Sequence, residues 1–138
     1  PEYLHGAWVD QHGLLCACDG FRAYRFGMCN ETLTVPMAPT DKEQPDISSV
    51  FMPFEKDEEK IPLERPALSE LKGKKIFSFG EGLPAVNVSY LRDALQTFPD
   101  AILSCRKTNP QISPVHFNAL GCGDAIVLPV RPDYAKRV

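Results

Sequence analysis

The sequence predicts a mixed α+β fold: a strand-rich opening, then one amphipathic helix followed by three strands. Two observations carry this. In Val86–Phe98 (VNVSYLRDALQTF) a short extended entry leads into a stretch where Val88, Leu91, Ala94/Leu95 and Phe98 recur at helical spacing and share one face. Three apolar runs follow, Ala101–Cys105, Ile112–Phe117 and Ala125–Val130, each of strand length. Together they make a β-α-β-β-β unit.

Taken in order, Leu4–Val9 (LHGAWV) reads as a first strand, ended by the turn-like Asp10-Gln11-His12-Gly13. Leu14–Cys18 continues as a second strand and Asp19-Gly20 breaks it. Phe21–Phe26 alternates as a third, closed by Gly27, and Thr32–Val35 offers a further short one. From Pro36 to Pro66 the prolines recur too often for a long helix. Within this region Ser48–Phe54 (SSVFMPF) is a strand candidate, the acidic run Glu55–Glu59 reads as a solvated loop, and Ile61-Pro62 starts another extended piece. Ala67–Leu71 suits a single helical turn. Lys74–Phe79 (KKIFSF) reads as a strand followed by the turn residues Gly80 and Gly82. At the main helix, Asn87 or Ser89 can accept a backbone N–H at the start, and Pro99 disfavours continuation. No repeat at a solenoid period is present. The expectation is one domain over 1–138: a strand-rich first part (1–35), a proline- and acid-rich connection (36–72), and a strand with the β-α-β-β-β unit (73–138).

The totals narrow the function classes. A chain of 138 residues buries roughly 68% of its unfolded surface, enough for one core. The net charge of -3 argues against coating nucleic acid by bulk charge, while leaving room for a local basic surface. No apolar run has the length of a membrane span, and no secretory signal pattern opens the chain. Cys16, Cys18, Cys29, Cys105 and Cys122 are odd in number and irregularly spaced, which fits reduced thiols and a cytoplasmic location. The chain begins at a proline without an initiator Met, so a processed or trimmed piece of something longer is expected.

Two blocks carry a resemblance. Val86–Leu95 (VNVSYLRDAL), Ser113–Phe117 and Ile126–Pro132 (IVLPVRP) resemble the end of the bacterial DNA polymerase III beta subunit, the replicative sliding clamp, whose patterns there are NVSYLxDAL and YVVMPMR. Tyr3–Tyr24, YLHGAWV…LLCACDGFRAY, is similar to the clamp pattern YLNGVxxE…LxxVATDGHRLA. The blocks lie in the family's order and cover roughly half the chain. Cys18, Phe21 and Ala23 replace the family's Thr, His and Leu, and Leu128-Pro129-Val130 replaces its MPM. A clamp domain has two β-α-β-β-β halves, and the first half's leading strand and helix would lie before Pro1. The resemblance therefore implies an α+β fold of the DNA-clamp type, an antiparallel sheet with a helix packed on one face and a truncated first half.

What it implies about function is topological and not catalytic, with no cofactor. Clamp subunits close a homo-oligomeric ring around double-stranded DNA, with helices lining the hole and sheets forming the outer layer. Cations on that inner side meet phosphates without reading bases; here the candidates are Arg92, Arg106 and Lys107, which would serve equally as ordinary surface cations. Lys72, Lys74 and Lys75 suit a solvated strand edge. The family also binds polymerases and repair proteins through an apolar cleft for Leu- and Phe-bearing peptides. Residue by residue, this implies Cys18, Gly20, Phe21, Arg22 and Ala23 on one wall and Ile126, Leu128, Pro129 and Val130 on the other. These apolar residues would equally make plain strand core, and Asp19-Gly20 is in any case a strong turn dipeptide.

Three other readings compete. Cys16-x-Cys18, Cys29, Cys105, Cys122 and His116 offer zinc ligand types, but not at the spacing of a paired ribbon. A cysteine hydrolase would use Cys18 or Cys122 with His116, His5 or His12 as base, yet no helix start follows either cysteine to lower its pKa, and Gly121-Cys122-Gly123 reads as a turn. The third is a clamp-derived interaction or assembly module that does not encircle DNA.

Overall fold

Short apolar runs separated by glycine and proline turns build one antiparallel sheet, seen in a computed structural model that describes residues 7–9, 13–27 and 47–135. The strands are β1 (Trp8–Val9), β2 (Leu15–Cys18), β3 (Arg22–Phe26), β4 (Lys60–Leu63), β5 (Ile76–Ser78), β6 (Ala85–Asn87), β7 (Ile102–Arg106), β8 (Val115–Ala119) and β9 (Gly123–Val127). Seven pair in the order β1-β2-β3-β9-β8-β7-β4, while β5 and β6 form a separate two-stranded ribbon. The expected strand over Thr32–Val35, the start of the strand at Leu4, and Cys29, His5 and His12 lie outside the described residues.

Strand alternation sorts the side chains onto two faces. On the inner face Leu63, Leu103, Cys105, Val115, Phe117, Ala125 and Val127 are buried, with Tyr24 and Phe26 packed against them. The helix α2 (Val88–Thr97) covers this face through Val88, Leu91, Ala94 and Leu95, the residues its spacing predicts. Each fully buried Leu, Val or Phe here contributes about 1.5–3 kcal/mol. On the outer face Cys16, Ala23 and Ile126 form a second cluster with Trp8, Ile47, Phe51 and Phe54.

Both ends of α2 are satisfied. Asn87, not Ser89, is its cap: Asn87 Oδ1 accepts the Ser89 N–H at 2.8 Å and the Tyr90 N–H at 3.4 Å. At the other end Arg65 donates to the carbonyls of Ala101 (3.2 Å) and Phe98 (3.5 Å), setting a cation against the negative end of the helix. Asn87→Ala is expected to cost about 1 kcal/mol in urea denaturation, with Ser89 unable to take over the role.

Several expected elements differ. Ser48–Phe54 is not a strand: α1 (Ser48–Phe51) runs into a 3-10 turn at Met52–Phe54. Ile47, Phe51 and Phe54 fall on one side of these turns, and Pro53, which lacks an N–H, is tolerated in the first turn of a helix but not in a central strand. Ile112 belongs to a 3-10 turn, and β8 begins only at Val115, because Asn109 adopts a left-handed conformation and Pro110 and Pro114 break up the approach. β9 stops at Val127, ahead of Pro129. The strand leading into α2 is β6, which pairs with β5 outside the large sheet, so the three strands after the helix join β3 and β4 without their expected first partner. Pro62 sits on edge strand β4, where no ladder bond needs its nitrogen.

Candidate partner-binding site

The sequence segments around Arg22 and Ile126 become adjacent strands. β3 and β9 pair with Arg22 opposite Val127 and Ala23 opposite Ile126. The Leu128 N–H donates to the Phe21 carbonyl at 2.9 Å, which carries the pairing one step past the strands. The Val130 N–H then donates to the Ala85 carbonyl at 2.8 Å, fastening the closing segment to β6. Both proposed walls thus lie side by side within one chain.

The turn ahead of β3 is held by Asp19. Its Oδ1 accepts the N–H groups of Phe21 (3.0 Å) and Arg22 (3.1 Å), and Gly20 takes a positive φ of 91°. Asp19 and Gly20 therefore act as turn residues, with Asp19 Oδ2 also 3.1 Å from the Arg22 guanidinium. Arg22 reaches α2, where Asp93 Oδ2 lies 2.6 Å from Nη1 and the Tyr90 ring centroid is 4.5 Å below the guanidinium. Phe21 stacks beside the same ring, with centroids 6.3 Å apart and planes 23° from parallel. Exposed ion pairs of this kind contribute little singly, but two carboxylates and a ring around one guanidinium fix its direction. Tyr90 and Asp93 had no sequence signal beyond lying one helical turn apart.

The nine residues implied for the cleft separate by exposure. Ala23 and Ile126 are 7% and 2% exposed and sit in the outer-face core, with Cys18 half-buried beside them. Phe21 and Leu128 are 60% and 41% exposed and are linked through their backbones, with Gly20 exposed before Phe21 and Pro129 and Val130 half-buried after Leu128. An open groove of about 380 Å³ lies elsewhere on the sheet, lined by Lys60, Pro62, Ile102, Ser104, Asn118 and Leu120, none of them in the predicted set.

The three DNA candidates do not share a surface. Arg92 is on α2, over the inner face. Leu103 and Cys105 of β7 pack under the helix, so alternation sends Arg106 to the outer face. Lys107 is exposed just beyond it, its N–H bonded to the Glu59 carbonyl at 2.8 Å.

A polar group that the sequence did not reveal lies on the outer face. Arg25 grips Asp124 with two bonds of 2.9 and 2.7 Å, and His116 Nε2 lies 2.9 Å from the same carboxylate. Burial alone would raise the Asp124 carboxyl; the bonds from His116 and Arg25, with the Arg25 charge, outweigh it and hold the group below the ordinary carboxylate value. The aromatic rings above are Phe51, centred 3.9 Å from the Arg25 guanidinium, and Phe54, stacked 4.8 Å from His116.

Burial pushes the Cys18 thiol up and the Cys105 thiol up to about 11, the wrong direction for a nucleophile. Cys122 is exposed in the turn between β8 and β9. Among the described residues no group of three or more His, Cys, Asp or Glu side chains is placed to hold a metal ion.

Comparison with protein-family models, with curated proteins and with solved structures finds no match to this chain.

Proposed function

We propose that this chain is a non-catalytic, sliding-clamp-like processivity factor for a DNA polymerase. It would work as a homo-oligomer around duplex DNA and bind polymerase and repair partners through apolar side chains at the β3–β9 junction. The observation that carries this reading is that Phe21 and Leu128, both exposed, are joined by a backbone hydrogen bond just beyond the paired ends of β3 and β9, next to the Arg22–Tyr90–Asp93 contact with α2. An exposed aliphatic–aromatic pair beside oriented polar groups suits capture of a Leu/Phe-bearing peptide, since anchors of that type gain most of their affinity from excluded water. Free thiols at Cys18, Cys105 and Cys122 suit a cytoplasmic setting, and no helix among the described residues is long and apolar enough to cross a membrane.

One observation favours a second reading, a clamp-derived interaction module that does not encircle DNA. The solvent side of α2 presents Ser89, Arg92, Asp93 and Gln96, a charge-balanced set rather than a cationic one. Retention on closed circular DNA, lost when the circle is cut, separates the two, because only a closed ring slides off an end. For the partner site, Leu128→Asp is expected to weaken a Leu/Phe-bearing peptide at least tenfold in fluorescence anisotropy, with the circular dichroism spectrum unchanged. Equal affinity in that variant rejects the partner site.

A further inference from the structure

We infer that the outer face of β2, β3, β8 and β9 is a docking groove for a peptide with aromatic side chains three residues apart, and that residues 47–54 of this chain fill it as a built-in competitor. Ile47, Phe51 and Phe54 point into the face and are buried, while Val50 and Met52 on the other side of the same turns are exposed. The segment lends no strand to the sheet, whose seven strands are hydrogen-bonded to one another without it.

The surface beneath is not built as an ordinary core. Apolar side chains would pack there without the desolvation cost of a buried ion pair, yet the face carries Arg25, Asp124 and His116 among Cys16, Ala23 and Ile126. His116 is 4% exposed, and its Nδ1 is buried with no hydrogen-bond partner. What these groups do well is recognise rings. The Arg25 guanidinium lies over the face of Phe51 at 3.9 Å, and the His116 imidazole lies within 17° of parallel to Phe54 at 4.8 Å. Two ring-reading groups, on β3 and β8 either side of β9, thus fix a spacing of three residues, and Ile47 adds an aliphatic anchor one turn earlier, in the same cluster as Trp8 and Cys16. The inference rests on β3 and β9 being a partner-binding surface, since Ala23, Ile126 and Cys18 belong to both.

A fluorescent peptide copying residues 46–56 tests it by anisotropy against the intact chain and its Phe54→Ala variant. The variant, whose own segment competes less well, is expected to bind the peptide at least tenfold more tightly than the unaltered chain. Binding should shift the emission of Trp8, the single tryptophan, and a peptide lacking both phenylalanines should not bind. Equal binding, or none, by a folded variant overturns the inference. If Phe54→Ala fails to fold, hydrogen exchange on the unaltered chain decides. The Val50 and Glu55 amides, bonded to the Ile47 and Met52 carbonyls, should exchange at least tenfold faster than those joining β3 to β9; equal protection overturns the inference. Leu128 lies outside this groove, so equal peptide affinity in Leu128→Asp rejects the site around Phe21 and Leu128 without deciding the result for the segment.

Discussion

Gly123→Ala is expected to unfold the chain or destabilise it by about 4 kcal/mol or more. Gly123 opens β9 with φ of 148° and pairs with Phe26 on one side and Ala119 on the other. A Cβ built there lies 2.1 Å from the Arg25 carbonyl oxygen and 3.1 Å from the Phe26 Cα. Those are backbone atoms of the neighbouring strand, so no rotamer change relieves the overlap; β3 and β9 must separate. Separation undoes the backbone bond from Leu128 to Phe21 and the Arg25–Asp124 pair together. Gly121→Ala is the control: its φ of 80° is unfavourable, but nothing lies within 4 Å of the added carbon. It should cost about 1–2 kcal/mol, the left-handed backbone alone. Equal urea midpoints for the two variants would show that the strand junction yields and that the close approach does not define it.

The parts of this fold that were legible in the sequence are those fixed by local periodicity. α2 was readable because its apolar residues recur at 3.6, and the following strands because each is a short apolar run of strand length; even the ambiguity at the helix start was a choice between two residues, Asn87 and Ser89, resolved by geometry toward Asn87. Ser48–Phe54 was misread because a short apolar run fits both periods, and the decisive fact, a sheet face waiting for Ile47, Phe51 and Phe54, lies elsewhere in the chain. Long-range polar pairs were invisible for the same reason. Arg22 finds Asp93 at a separation of 71 residues and Arg25 finds Asp124 at 99. Arg92 and Arg106 looked alike as cations, and only the position of β7 in the sheet shows that they face opposite sides. The resemblance implied that two distant segments belong to one site; that they are neighbouring strands is visible only in the pairing register.

Asp124→Asn is expected to cost about 3–5 kcal/mol at neutral pH, because it leaves the half-buried Arg25 guanidinium under Phe51 without its counter-charge. The amide keeps the shape and one acceptor oxygen, so the loss reports charge and not a cavity. The pH dependence has a definite sign. Asp124 is held below its unfolded value, near 3.9, so the folded state binds fewer protons than the unfolded chain through that range. Its contribution is complete above the unfolded pKa and is lost as pH falls through the folded one. In urea denaturation from pH 6 downward, the unaltered chain should therefore lose stability below about pH 4 more steeply than Asp124→Asn, and the two curves should converge in acid. The carboxylate also orients His116, so the variant should loosen Phe54 and speed exchange at the Glu55 amide more than at the β7–β8 junction. A variant within 1 kcal/mol of the parent at neutral pH, with the same acid slope, would mean that Arg25 finds water or another acceptor, and that the charge on this face is not held in place by its partners.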